Sequence, residues 1–126
     1  MKQGCSNYII TYNSKPFNIL KQLGIKTSLK GTRFMLDVIS IALSYGDESF
    51  FLEGIYRELS NKYHLTSKYI KGAIQYSLDN RNVNLSEKNF EKIFGYEYND
   101  YSFTNKELIQ EIVRVIQFEI YENIES

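Results

Sequence analysis

Residues 59–78 read LSNKYHLTSKYIKGAIQYSL. Apolar residues recur at Leu59, Leu65, Ile70, Ala73, Ile74 and Leu78, and Thr66-Ser67 between the two halves is a helix-start signal, because a hydroxyl there accepts from a backbone N–H that the first turn leaves unpaired. The spacing predicts two short helices joined by a tight turn at Tyr63-His64-Leu65, the layout of a helix-turn-helix. In such a unit the second helix enters a DNA major groove and turns its outer side chains to base edges.

That second helix is expected over residues 67–79. At about 100° per residue, Ile70, Ala73, Ile74, Ser77 and Leu78 form its inward face. Lys68, Gly72, Gln75 and Asp79 point outward, with Lys71 on one flank and Tyr69 and Tyr76 on the other. The candidate nucleic-acid contacts are therefore Lys68, Tyr69, Lys71 and Gln75 toward the groove, with Thr66, Ser67 and Tyr76 toward the phosphate backbone. His64, the only histidine, has no Cys or His at ligand spacing, so it is read as filling the turn or facing a phosphate, not as a metal ligand.

Upstream, Phe50, Phe51, Leu52, Ile55, Tyr56 and Leu59 extend the first helix of the pair, and Gly54 is a candidate break within it. Before that, Leu29, Phe34, Met35, Val38, Ile39, Ala42 and Leu43 recur at three- and four-residue spacing, predicting a core helix opened by Thr27-Ser28 and stopped by Tyr45-Gly46-Asp47. Residues 1–23 are read as an N-terminal arm, since Tyr8 to Tyr12 is strand-like and Pro16 interrupts helix formation; Lys2, Lys15 and Lys21 make it basic, a solvated leader or a source of phosphate contacts.

Downstream, Asn84 with Glu87 three residues later predicts the cap of a further short helix ending at Phe94-Gly95-Tyr96. Thr104-Asn105-Lys106-Glu107 then opens a long final helix with Leu108, Ile109, Ile112, Val113, Val115, Ile116 and Ile120 inward. Phe118 and Tyr121 fall outside that stripe and are read either as a dimer contact or as cover for a loop. The expected architecture is an all-α, compact bundle of about six helices, with residues 24–126 forming the helix-turn-helix domain.

The bulk properties fit one globular domain of 126 residues, with 43% hydrophobic and 24% charged residues. No apolar run reaches the roughly 20 residues needed to span a bilayer, and the start lacks a secretion signal, so a cytoplasmic location is expected and no membrane partner. The single cysteine, Cys5, has no intramolecular partner, which fits a reducing compartment. A formal net charge of zero argues against strong nonspecific DNA affinity. It conceals an asymmetry: residues 1–81 hold eleven Lys/Arg against six Asp/Glu, and residues 82–126 hold four against nine. The helix-turn-helix lies in the positive part. No cofactor or metal is implied, and no catalytic residues are assigned: there is no nucleophile elbow, phosphate-binding glycine loop or metal-ligand cluster.

Three blocks of this sequence resemble the C-terminal effector domain of the sporulation response regulator, stage 0 sporulation protein A. They are Gly24-Ile25 with Leu29-Lys30-Gly31; Ile55-Tyr56, Leu59, Lys62-Tyr63, Thr66 and Ala73-Ile74; and Ile93-Phe94-Gly95-Tyr96 with Thr104-Asn105 and Glu107. The resemblance spans about residues 24–120 and implies an all-helical domain that binds duplex DNA and dimerises through its C-terminal part, as a homodimer or with a full-length relative. It also implies a phosphoacceptor receiver domain ahead; some two dozen residues are too few for one, so a stand-alone effector without phosphorylation control is expected. Where the family's recognition helix carries arginines, this sequence has Tyr69, Gly72 and Gln75, and where it carries glutamate, Lys71. Altered or weakened sequence specificity is therefore expected, the alternative being a protein-interaction module on the same scaffold, pairing through its C-terminal helix.

Overall fold

The computed structural model describes residues 14–45, 52–98 and 104–125, with residues 120–125 described by backbone alone. Among the described residues six helices make up the fold: α1 over residues 14–22, α2 Lys30–Leu43, α3 Leu52–Tyr63, α4 Ser67–Asp79, α5 Val83–Phe94 and α6 Asn105–Glu125. No strand occurs among the described residues. The all-α bundle expected from the periodicity is the observed class.

One core runs through the bundle. α2 packs against α3, α4 and α6. Its Met35, Val38, Ile39 and Ala42 are wholly buried, as are Leu59 of α3, Ile70, Ile74 and Leu78 of α4, and Ile109 and Ile112 of α6. Phe90 and Phe94 of α5 extend the core, where Phe90 meets Tyr96 and Tyr98 edge to face at 5.4 and 5.5 Å. Such ring pairs contribute about 0.5–1.5 kcal/mol each beyond area burial.

Residues 14–23 do not form a separate arm. They make α1 and its cap, and Ile19, Leu20 and Leu23 are buried in the common core. Pro16 permits this because it lies in the first turn of α1, where its missing N–H is one the helix would leave unpaired anyway. α1 ends in a Schellman motif: the Gly24 N–H donates to Lys21 O and the Ile25 N–H to Leu20 O, both at 3.0 Å, with Gly24 at φ +82°. Gly24 O in turn accepts from the Asn82 N–H at 2.8 Å, and a Cβ on Gly24 would lie 2.4 Å from Asn82 O. Lys15, read as part of a solvated leader or as a source of phosphate contacts, pairs with Glu119 on α6. Residues 1–13, with Cys5 and Tyr8 to Tyr12, lie outside the described residues.

The helix-start signals fall within two residues of the observed caps. α2 begins at Lys30 and its N-cap Leu29 makes no side-chain cap; Thr32, inside the helix, donates its hydroxyl to Lys26 O at 2.6 Å instead. The α5 cap is Asn82, not Asn84: its side chain accepts from the Leu85 N–H at 3.3 Å. Gly54 does not break α3, which runs through it. Gly95, at φ +82°, ends α5, and Thr104 accepts from the Glu107 N–H at 3.3 Å to open α6. Phe50, Phe51 and the stop signal Gly46-Asp47 lie outside the described residues, as does the side chain of Ile120.

Candidate nucleic-acid interface

α3 and α4 form the helix-turn-helix pair, and their connection is held by its own backbone. The Leu65 N–H donates to Ser60 O at 3.2 Å, the Ser60 hydroxyl donates to Leu65 O, and His64 adopts φ +58° to turn the chain. His64 thus makes the turn with its backbone, and its side chain is exposed. Tyr63 at the end of α3 donates its hydroxyl to Asp37 on α2, which pushes the phenol pKa up to about 12 and ties α3 to α2. Phe34 packs edge to face on Tyr63 at 5.5 Å and on Tyr69 at 6.4 Å, so the ring at the start of α4 is anchored from beneath.

The N-terminus of α4 is capped by Thr66, whose hydroxyl accepts from the Tyr69 N–H at 3.0 Å. At the other end Arg81 clamps the exit, donating to Leu78 O, the Ser86 hydroxyl and the Tyr98 hydroxyl at 3.0 to 3.1 Å. A cation beside the last carbonyls of a helix suits its dipole. Between these ends Ile70, Ile74, Ser77 and Leu78 are buried and Ala73 is half-buried, the inward face expected from the 3.6-residue period.

Lys68, Tyr69, Gly72, Tyr76 and Asp79 are exposed. The seven candidate contacts separate into groups. Thr66, Ser67 and Lys68 lie together at the N-terminal turn, where backbone N–H groups and the positive end of the dipole favour an anion. Among the described residues Lys68 makes no hydrogen bond or ion pair. Tyr69 and Tyr76 flank Gly72 on the side of α4 that faces the start of α2, and together with Leu29 and Gly31 they border a groove of about 700 Å³. Gln75 donates through Nε2 to Asp79 Oδ1 at 3.0 Å.

Lys71 departs from expectation. It turns back toward α3, where Nζ reaches both Glu53 oxygens at 2.8 and 2.9 Å and lies 5.2 Å from the centre of the Tyr56 ring. Burial, then the charge of Glu53, push the Tyr56 phenol pKa up to about 12. The Lys71 backbone carbonyl also accepts from Asn105 Nδ2 at 3.0 Å, joining α4 to the start of α6. Its ammonium thus already faces a carboxylate on the protein surface. Neither Glu53 nor Asp37 was among the expected site residues, because each acts through a partner on another helix.

Gly31 is the further residue that the helix spacing did not single out. A Cβ built there would lie 1.9 Å from Ala73 O and 2.4 Å from Ser77 Oγ, so α2 crosses α4 at backbone contact. This crossing sets how far α4 stands out from the bundle.

The second helix of the helix-turn-helix is thus exposed along one face of a bundle of six helices among the described residues. The model of the family described as sporulation initiation factor Spo0A C terminal matches residues 17–116. The chain belongs to this family. No curated protein and no solved structure matches it. The Spo0A C-terminal family is one of DNA-binding effector domains, and its match begins inside α1, consistent with that helix being part of the domain. Among the described residues no helix is long and apolar enough to cross a membrane, and no group of three or more His, Cys, Asp or Glu side chains is placed to hold a metal ion.

On α6, Phe118 is 60% exposed, outside the buried stripe of Leu108, Ile109, Ile112, Val113 and Ile116. The side chain of Tyr121 lies outside the described residues.

Proposed function

We propose that this member of the Spo0A C-terminal family is a DNA-binding transcription regulator whose recognition helix, α4, reads duplex DNA with a preference of its own. The observation that carries this reading is the division of α4. Its inward face is locked in the core while Lys68, at the capped N-terminal turn, stands exposed among Thr66 and Ser67. Lys68 and the first turn of α4 anchor a phosphate, and the middle of the helix meets the bases. The altered preference rests on Tyr69, Gly72 and Gln75, none of which offers the planar fork with which arginine grips guanine.

The test is binding of the full chain to short duplexes by fluorescence anisotropy across a salt series. Affinity falls steeply with salt, and Lys68→Ala lowers both the affinity and the slope, the latter by about 0.9 for the single phosphate that lysine neutralises. Salt-independent binding, or none at low ionic strength, would sink the reading.

A second reading is favoured by Phe118, which stands exposed on α6: an interaction module pairing with another copy or a full-length relative. Sedimentation equilibrium tests the contact, because Phe118→Ser shifts a dimer toward monomer only if α6 carries it, and self-association without duplex binding at low salt separates this reading from the first.

A further inference from the structure

On the outer face of α4, Lys71 is paired with Glu53 and Gln75 with Asp79, and the groups left over match one kind of base pair. Resting on the DNA-binding reading above, we infer that the recognition face selects A·T base pairs in the major groove, with Gln75 reading adenine and the Tyr69–Gly72–Tyr76 seam receiving thymine methyl groups.

Gln75 provides the polar half. Its Nε2 donates one hydrogen to Asp79 Oδ1 at 3.0 Å, which orients the amide and leaves the second Nε2 hydrogen and the Oε1 acceptor for a ligand. Adenine presents N7 as acceptor and N6–H as donor, the complement of that pair. Guanine presents two acceptors, N7 and O6, so Oε1 would face a lone pair. Asp79, the acid able to accept from cytosine N4, has Oδ1 turned to Gln75, which draws its carboxylate along the helix toward that amide.

The apolar half is the seam. Tyr69 and Tyr76 are 44% and 60% exposed, yet Gly72 between them has no side chain, and a Cβ placed there would meet nothing within 4 Å. The result is a gap walled by two rings, one of them anchored on Phe34, with Ala73 beside it. A thymine 5-methyl group is the apolar feature of the major groove, and burying a group of that size contributes about a fourfold gain in affinity.

The cations do not oppose this selection. Lys71 is held by Glu53 over the Tyr56 ring, away from the bases. Lys68 lies seven residues before Gln75, about 10 Å along the helix axis and at its N-terminal end, where a phosphate fits better than a guanine.

The experiment is competition anisotropy with the full chain at one fixed salt concentration, using four alternating duplexes: adenine–thymine, adenine–uracil, guanine–cytosine and inosine–cytosine. Adenine–thymine binds on the order of 10-fold more tightly than guanine–cytosine. Inosine–cytosine behaves like guanine–cytosine, since it shares the O6 and N7 acceptors in the major groove while resembling adenine–thymine in the minor groove. Replacing thymine by uracil costs about fourfold. Gln75→Ala removes the adenine preference and keeps the sensitivity to uracil. Equal affinity for all four duplexes would overturn the base selection and leave DNA binding intact. Inosine–cytosine matching adenine–thymine would place the contact in the minor groove and overturn it also. Absence of binding to every duplex at low salt would overturn both readings.

Discussion

Gly31 and Gly72 are helical glycines on the two sides of the same helix crossing, and they do opposite things. At Gly31 the α2 backbone lies against Ala73 and Ser77 of α4, so that a Cβ would come within 1.9 Å of a carbonyl oxygen. At Gly72, one residue before Ala73, a Cβ would meet nothing within 4 Å. The first glycine is required by packing. The second weakens an exposed helix by about 1 kcal/mol relative to alanine and leaves a gap on the face that meets a ligand. The crossing is therefore a rigid mount on one side and an open surface on the other.

Breaking the mount gives the largest effect. Gly31→Ala forces α2 and α4 apart and lowers stability by about 3 kcal/mol, read as a drop in the urea midpoint with little change in m-value. A change below about 0.5 kcal/mol would mean that the crossing relaxes freely. The packed side is also tested by alkali. Tyr56 and Tyr63 both have phenols raised from 10.0 to about 12, so the folded state favours their neutral forms. Their contribution is fully present below pH 10 and is lost as pH rises from about 10 toward 12. Urea titrations across that range show the decline, and Tyr63→Phe, which removes the bond to Asp37, makes it shallower.

The open side responds more gently. Glu53→Gln removes the charge that holds Lys71 and raises affinity for duplex DNA by about fivefold at low salt, with the salt slope steeper by as much as one neutralised phosphate. An unchanged slope would show that Lys71 stays on Tyr56 without its ion pair. The smallest effect belongs to Gly72→Ala, which stabilises the fold by about 0.5–1 kcal/mol, opposite in sign to Gly31→Ala. Thermal melts of the two variants side by side give the comparison directly.

Much of α4 was legible because its signals are local. Ile70, Ile74, Ser77 and Leu78 follow the helical period, and Thr66 caps the helix it precedes. Around it legibility declined with the distance to the partner. Asn84 and Asn82 offer similar chemistry two residues apart, and Asn82 became the cap because its N–H also donates to Gly24 O, 58 positions back in the chain. Lys71 looked like a groove contact from helix geometry alone, yet the deciding neighbour, Glu53, lies on another helix. Pro16 suggested a break, and only its place in a first turn made it harmless.

By itself the sequence determined the all-helical class, the inward stripes, the two helices and turn of residues 59–78, and the resemblance now borne out by the family match over residues 17–116. Those are consequences of residue period and capping, which act within a few positions. Tertiary structure alone decided that residues 14–23 join the core, that α2 crosses α4 at Gly31, and that Lys71 turns toward Glu53 on α3 while Lys68 remains unpaired among the described residues. Each depends on groups brought together across the chain, where packing and charge pairing are set by neighbours in space rather than by neighbours in sequence.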